Sequence, residues 1–171
     1  MIDLSHLSEA GFWDVARHSD RPLVATHSNA HAICPHSRNL TDDQLMAIRE
    51  SDGMVGLNFA VAFLRSDSRM LGDVSMGQML RYLDHLICRL GEDRVGLGSH
   101  FDGAVMPKGM RSCADLPKRC AAMRAHGYDE PLMRKLCHEN WIRVLDRTWV
   151  QNEKPGDVAW PGSDSAIPGV A

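Results

Sequence analysis

The sequence lacks a long apolar run, an excess of charge of one sign, and any close pair of cysteines. No stretch approaches the roughly 18 apolar residues that a membrane-spanning helix needs, so no membrane segment is expected in this chain. Lysines and arginines number 19 against 22 acids, the net charge is −3, and the two signs are interspersed. That leaves no basic footprint for nucleic acid and no polybasic patch for a lipid surface. The chain opens with neither the charged n-region nor the apolar h-region of a secretory signal. A cytoplasmic location is the expectation, with any signal of a longer parent lying upstream. The five cysteines, Cys34, Cys88, Cys113, Cys120 and Cys137, are odd in number, and none stand as C-x-x-C. That argues against a disulfide framework and a cysteine zinc knuckle and fits a reducing compartment.

What is present is a chain of 171 residues, 44% hydrophobic, enough for one buried core. Residues 1–150 read as one domain. The stretch 151–171 is rich in proline and glycine and reads as a disordered or surface-hugging tail.

Strand and helix signals alternate. Residues 2–5 and 22–26 read as short strands, as do Met54-Val55-Gly56-Leu57-Asn58-Phe59 and Arg94-Val95-Gly96-Leu97-Gly98. Ser8 can cap a helix over residues 9–18. Thr41-Asp42-Asp43-Gln44 is a capping box that opens a second helix, to about Ser51, with acids where the helix dipole favours them. Residues 60–72 read as a polar loop. Met79, Leu80, Leu83, Leu86, Ile87 and Leu90 stand at helical spacing within a helix over 76–90, ended by Gly91. Helices then follow over about 114–126, 129–138 and 139–149, with Asp129 as a cap for the second. Four β-α units in series imply parallel strands joined by right-handed crossovers, in an open sheet or part of a barrel. No strand is followed by G-x-G-x-x-G and no P-loop occurs, so nucleotide binding is a weak reading.

Nine histidines are many for this length, and two of them stand out. His6 ends the first strand signal and His27 the second. Neighbouring parallel strands lie about 4.8 Å apart. Imidazoles projecting from adjacent strand ends can therefore meet on one zinc ion, with bonds to nitrogen of about 2.0–2.1 Å. The competing reading is two histidines hydrogen-bonded to loops. Arg38, in Ser37-Arg38-Asn39, can clamp a carboxylate bidentately or serve as an ordinary loop residue. His31 and His36 are expected to line or brace the long loop between Ser28 and Leu40.

Six stretches taken together resemble a known family. They are Asp3-Leu4-Ser5-His6-Leu7-Ser8, Thr26-His27-Ser28-Asn29-Ala30, Ser37-Arg38-Asn39-Leu40-Thr41-Asp42 and Gly53-Met54-Val55-Gly56-Leu57-Asn58-Phe59. Val95-Gly96-Leu97-Gly98-Ser99 with Phe101-Asp102-Gly103, and Glu139-Asn140-Trp141-Ile142-Arg143-Val144, complete the set. In order and content they are similar to the membrane (renal) dipeptidase family of zinc peptidases, over about residues 2–146.

The resemblance implies a metal-dependent (β/α)₈ barrel of the amidohydrolase type. It implies hydrolysis of dipeptides and, in some members, of β-lactam or D-amino-acid-containing substrates. By the same resemblance His6 and His27 hold one metal of a binuclear zinc site, and Arg38 binds substrate. A hydroxide shared by the two metals attacks the peptide carbonyl.

Two departures follow from the same comparison. A complete barrel takes about 250 residues, so this chain corresponds to the C-terminal half. The family's His-x-Asp motif and its metal-bridging glutamate belong to the other half. Second, the family's G-S-D-F-D-G reads Gly98-Ser99-His100-Phe101-Asp102-Gly103 here. His100 can bind substrate and transfer a proton near neutral pH. It can also ligate metal, but it cannot supply negative charge to a substrate ammonium. Both departures argue against activity of the lone chain. The expectation is therefore a zinc-dependent dipeptidase, incomplete as it stands. The alternative is a non-catalytic half-barrel or pseudoenzyme fragment. The expected associates are a dipeptide substrate and either a complementary N-terminal half or a second copy.

Overall fold

The computed structural model describes residues 1–67 and 69–149; the stretch read as a tail, 151–171, lies outside them. The fold is α/β. Its sheet has three parallel strands, β1 (Val24–Ala25), β2 (Met54–Asn58) and β3 (Val95–Ser99), in the order β1-β2-β3. Sequential order in a parallel sheet means that each crossover passes over the sheet once and returns beside its starting strand.

Four strands are expected from the sequence, and the first is not formed as one. It contributes a single parallel bridge, Asp3 to Val24, with the Leu4 amide donating to Val24 O at 2.9 Å. The Asp3 carboxylate accepts from the Ser5 amide (3.0 Å) and the Ser5 hydroxyl (2.8 Å), which turns the chain out of the extended conformation. β1 is shorter than expected for a related reason. Pro22 has no amide to give, and the Thr26 amide donates to Asp3 Oδ1 at 3.0 Å.

The helices follow local signals closely. Helix α1 (Glu9–His18) is capped by Ser8, which accepts from the Gly11 amide. Helix α2 (Asp42–Glu50) starts with the complete Thr41/Gln44 capping box. Residues 60–72 contain a short helix, α3 (Val61–Leu64), where a polar loop is expected. Val61 and Leu64 are fully buried, so tertiary packing sets this turn. Helix α4 (Met76–Leu90) ends at Gly91, whose φ of 84° only glycine adopts without strain.

Beyond β3, a 3₁₀ turn (Cys113–Asp115) leads into α5 (Leu116–His126). Asp129 then caps α6 (Glu130–Arg134), which continues through a π turn (Lys135–Glu139) into α7 (Asn140–Trp149). The two last helices expected from the sequence are thus one helical segment with a π turn inside it. That turn adjoins Asn140, a buried amide that donates to the carbonyls of Glu92 (2.6 Å) and Val95 (2.8 Å) and ties the segment to the foot of β3.

Period-two alternation divides the sheet between two cores. Val55, Leu57 and Val95 face a large cluster with Phe12, Leu45, Ile48, Leu83 and Leu86. Val24 and Met54 face α7 through Val144 and Trp141. Trp141 lies so close to the strands that a Cβ on Gly96 would stand 2.7 Å from its Nε1, and one on Gly56 would stand 2.9 Å from its Cζ2. The carboxyl ends of β1, β2 and β3 come out on one edge. There the chain leaves β3 through Ser99, His100 and Asp102, all with positive φ. A register shift between Leu57 and Asn58 pairs Asn58 with Ser99 rather than with Gly98. Such irregularities re-aim side chains at sheet rims.

Candidate metal centre

The three histidines expected at the site reach this rim, together with Asn58. His6 follows the Asp3 bridge, His27 follows β1, Asn58 ends β2, and His100 follows β3. The His6 and His27 Nε2 atoms are 2.9 Å apart. The His27 and His100 ring centroids are 4.7 Å apart, and those of His6 and His100 are 6.1 Å apart. One ligand atom from each of the three histidines lies within 4.8 Å of the others. His6 is exposed, while His27 and His100 are half-buried.

A hydrogen-bond chain behind His27 decides which face it presents. The Thr26 hydroxyl has one proton, and it goes to Asp3 Oδ2 at 2.5 Å. Thr26 Oγ1 also lies 2.7 Å from His27 Nδ1, so here it must accept. His27 therefore carries its hydrogen on Nδ1 and offers the bare Nε2 lone pair towards His6. Hydrogen bonds of this kind behind a histidine orient metal ligands. Ser5 completes the frame: its hydroxyl accepts from the His27 amide at 2.9 Å.

Burial disfavours a proton on both half-buried imidazoles. Burial pushes the His27 imidazole below its ordinary value. Asp3 opposes this, and His100, His6 and Arg38 add to it. Burial, then Arg38 and His6, push His100 down as well. For Asp3, burial acts upward, but the hydrogen bonds from Thr26 and Ser5 outweigh it and hold the carboxylate below its usual range. Neutral imidazoles with a free lone pair are what a metal requires. Two nitrogens at tetrahedral zinc stand about 3.3 Å apart. An opening of a few tenths of an ångström at the His6–His27 pair accommodates the ion, so these residues fit the group.

Arg38 stands beside the pair. Its Nε donates to Ser5 O at 2.7 Å, and its guanidinium carbon lies 5.1 Å from the Phe63 ring centroid. Its Nη2 is buried and has no hydrogen-bond partner among the described residues. Burial draws the Arg38 pKa down, against the attraction of Asp3. His36 braces the loop as expected, accepting from the Arg38 amide at 3.1 Å and packing edge-on to Phe63. His31 lines a cavity of 520 Å³ with Arg38 and His6. A second cavity, of 690 Å³, opens between Arg38, His36, Phe63, His100 and Gly103.

The profile of the membrane dipeptidase family, peptidase family M19, matches residues 1–155. The chain belongs to the membrane dipeptidase family. A metallopeptidase from Rhodobacter sphaeroides, solved with a phosphinate mimic of the dipeptide L-Ala-D-Ala, is 67% identical with a TM-score of 0.85. That match covers 87% of this chain and 42% of the solved one. An uncharacterised Klebsiella pneumoniae protein encoded in the pqqA 5′ region is 52% identical over 150 residues, or 88% of this chain and 55% of that protein. An amidohydrolase from Pseudomonas aeruginosa, 24% identical, shares the fold with a TM-score of 0.78 and covers 88% of this chain and 53% of its own. The chain thus spans about half the length of these relatives.

Sequence reasoning does not single out Asp3, Thr26 or Asn58 as separate contributors to this site. All three sit inside the family-like stretches, but their roles depend on contacts across 23 to 42 residues of chain.

Proposed function

We propose that this chain is the C-terminal half of a metal-dependent (β/α)₈ dipeptidase, and that it works with a complementary half. The observation that carries the reading is the His6–His27 pair: an exposed and a half-buried imidazole that follow adjacent strands of the rim, their Nε2 atoms 2.9 Å apart, with His27 held in the ligand tautomer. The sequential parallel strand order and the half-length match to family members support the barrel. Zinc is the metal we infer, since imidazole suits it and the resemblance implies it.

In this reading His6 and His27 hold one metal. When bound, the metal polarises the scissile carbonyl and makes a nucleophile available from water at neutral pH. Arg38 binds the carboxylate end of a dipeptide through Nη2. A buried guanidinium nitrogen without a partner costs free energy until an anion reaches it. Phe63 holds the guanidinium plane in place. His100 occupies the position where the family carries an acid. The protein groups for a second metal are not recognisable among the described residues, so the binuclear centre is completed by the other half.

The test is reconstitution. The chain is mixed with a chain carrying the family's His-x-Asp strand, in the presence of zinc, and assayed with L-Ala-D-Ala. Hydrolysis that needs both chains and zinc is expected. If the two chains associate and bind zinc yet cleave no dipeptide, and His100→Asp restores cleavage, the second reading holds: a non-catalytic fragment disabled at position 100.

A further inference from the structure

The three-histidine cluster invites reading as a three-imidazole metal site, and the hydrogen bonds around His100 argue otherwise. Asn58 is fixed in orientation. Its Oδ1 accepts from the Ala60 amide at 2.8 Å, and its Nδ2 donates to His27 O at 3.0 Å. The backbone of Asn58 is clasped in turn by Asn29, whose Oδ1 accepts from the Asn58 amide (3.0 Å) and whose Nδ2 donates to Asn58 O (3.0 Å). Both asparagines are buried. The amide of Asn58 therefore cannot turn over without losing two hydrogen bonds at once.

Nδ2 has a second hydrogen, and His100 Nδ1 lies 3.1 Å from it. Nδ1 must accept, so the hydrogen of the neutral His100 ring resides on Nε2. His27, one ring away, is in the opposite state, with its hydrogen on Nδ1 and a bare Nε2. The two neighbours are set by two separate networks: the Thr26–Asp3 pair behind His27, and Asn58 behind His100.

The Cδ2–Nε2 edge of His100 lies against Gly103. A Cβ on Gly103 would stand 2.8 Å from Cδ2 and 3.1 Å from Nε2. Having no side chain there keeps that edge open. His100 and Gly103 line the 690 Å³ cavity together with Arg38. Among the described residues none hydrogen-bonds to His100 Nε2.

We propose that His100 is a hydrogen-bond donor to substrate oxygen, held in that role by Asn58, rather than a third metal ligand or a base. Its Nε2–H, with the free Nη2 of Arg38, makes this wall of the cavity a donor surface for the carbonyl or carboxylate oxygens of a bound peptide. The part of this claim that concerns metal rests on reading His6 and His27 as ligands. The tautomer assignment does not.

The test is ¹⁵N NMR of the imidazole rings in the full chain, first metal-free and then with ¹¹³Cd as the probe. In the metal-free chain His100 is expected to show protonated Nε2 and bare Nδ1, and His27 the reverse. A protonated Nδ1 on His100 would overturn the assignment. With cadmium, coupling to Nε2 of His6 and His27 is expected, and none to His100. Coupling to all three rings would make His100 a ligand and refute the donor role. If cadmium couples to none of them while the tautomers are as stated, the metal reading fails and the Asn58 assignment survives. Asn58→Asp replaces the donor by an acceptor and should move the His100 hydrogen to Nδ1, recruiting His100 as a third cadmium ligand. Circular dichroism checks that this variant folds; should it not, the wild-type spectra alone decide.

Discussion

The Thr26 hydroxyl stands between Asp3 and His27, giving its proton to the carboxylate at 2.5 Å and receiving one from the imidazole at 2.7 Å. One side chain thereby fixes the hydrogen position of a ring whose far nitrogen faces His6. The relationship links the first residues of the chain to the end of β1, and in the proposed metal centre it readies His27 as a ligand.

Thr26→Val keeps the β-branched shape and removes the hydroxyl. The His27 ring then loses the acceptor on Nδ1, and its lone pair is no longer held towards His6. Removing such a partner behind a ligand lowers metal affinity by about 10- to 100-fold. Zinc titration of wild type and variant checks this; equal affinities would show that the Thr26–Asp3 pair is only structural.

Arg38→Ala removes the guanidinium without touching His6 or His27. Hydrogen bonds to charged groups contribute about 1.5–3 kcal/mol, or roughly 10- to 150-fold in affinity. Binding of a phosphinate dipeptide mimic to the reconstituted pair should weaken by that factor, with zinc content unchanged. A loss of zinc in this variant would contradict the role assigned to Arg38.

Acidification should destabilise the metal-free chain. His27 and His100 titrate below the ordinary imidazole value of 6.5 in the folded state, chiefly because of burial. The unfolded chain therefore takes up protons first as pH falls. The stability tied to these neutral rings is present above that ordinary value and is lost as pH drops through their folded values. Urea midpoints are expected to fall between pH 7 and pH 5. Asp3 acts in a separate window, below its ordinary value of 3.8, because its folded carboxylate titrates lower still. A midpoint that rises on acidification to pH 5 would contradict the sign for the two imidazoles.

The parts of the fold that the sequence makes legible are those written in adjacent residues. Ser8, the Thr41–Gln44 box, Gly91 and Asp129 each mark a helix end by local chemistry, and each is used as expected. The convergence of His6 and His27 is legible too, because each follows a strand signal and consecutive parallel strands lie side by side. The first strand misleads because Ile2 and Leu4 carry a strand pattern while Asp3 turns its carboxylate back onto Ser5. Helix α3 is missed because Val61 and Leu64 are too few for a periodic signal and owe their burial to distant packing. Asn58 reads as an ordinary strand end. Its effect on His100 acts across 42 residues of chain, and only the folded rim brings the two together.

The most direct measurement is equilibrium dialysis of the chain against zinc, beside a His6→Ala/His27→Ala double variant. Wild type is predicted to retain zinc after dialysis, and the folded double variant to bind it at least about tenfold more weakly. Equal zinc retention by the two proteins would contradict the metal centre, and with it the dipeptidase reading of this chain.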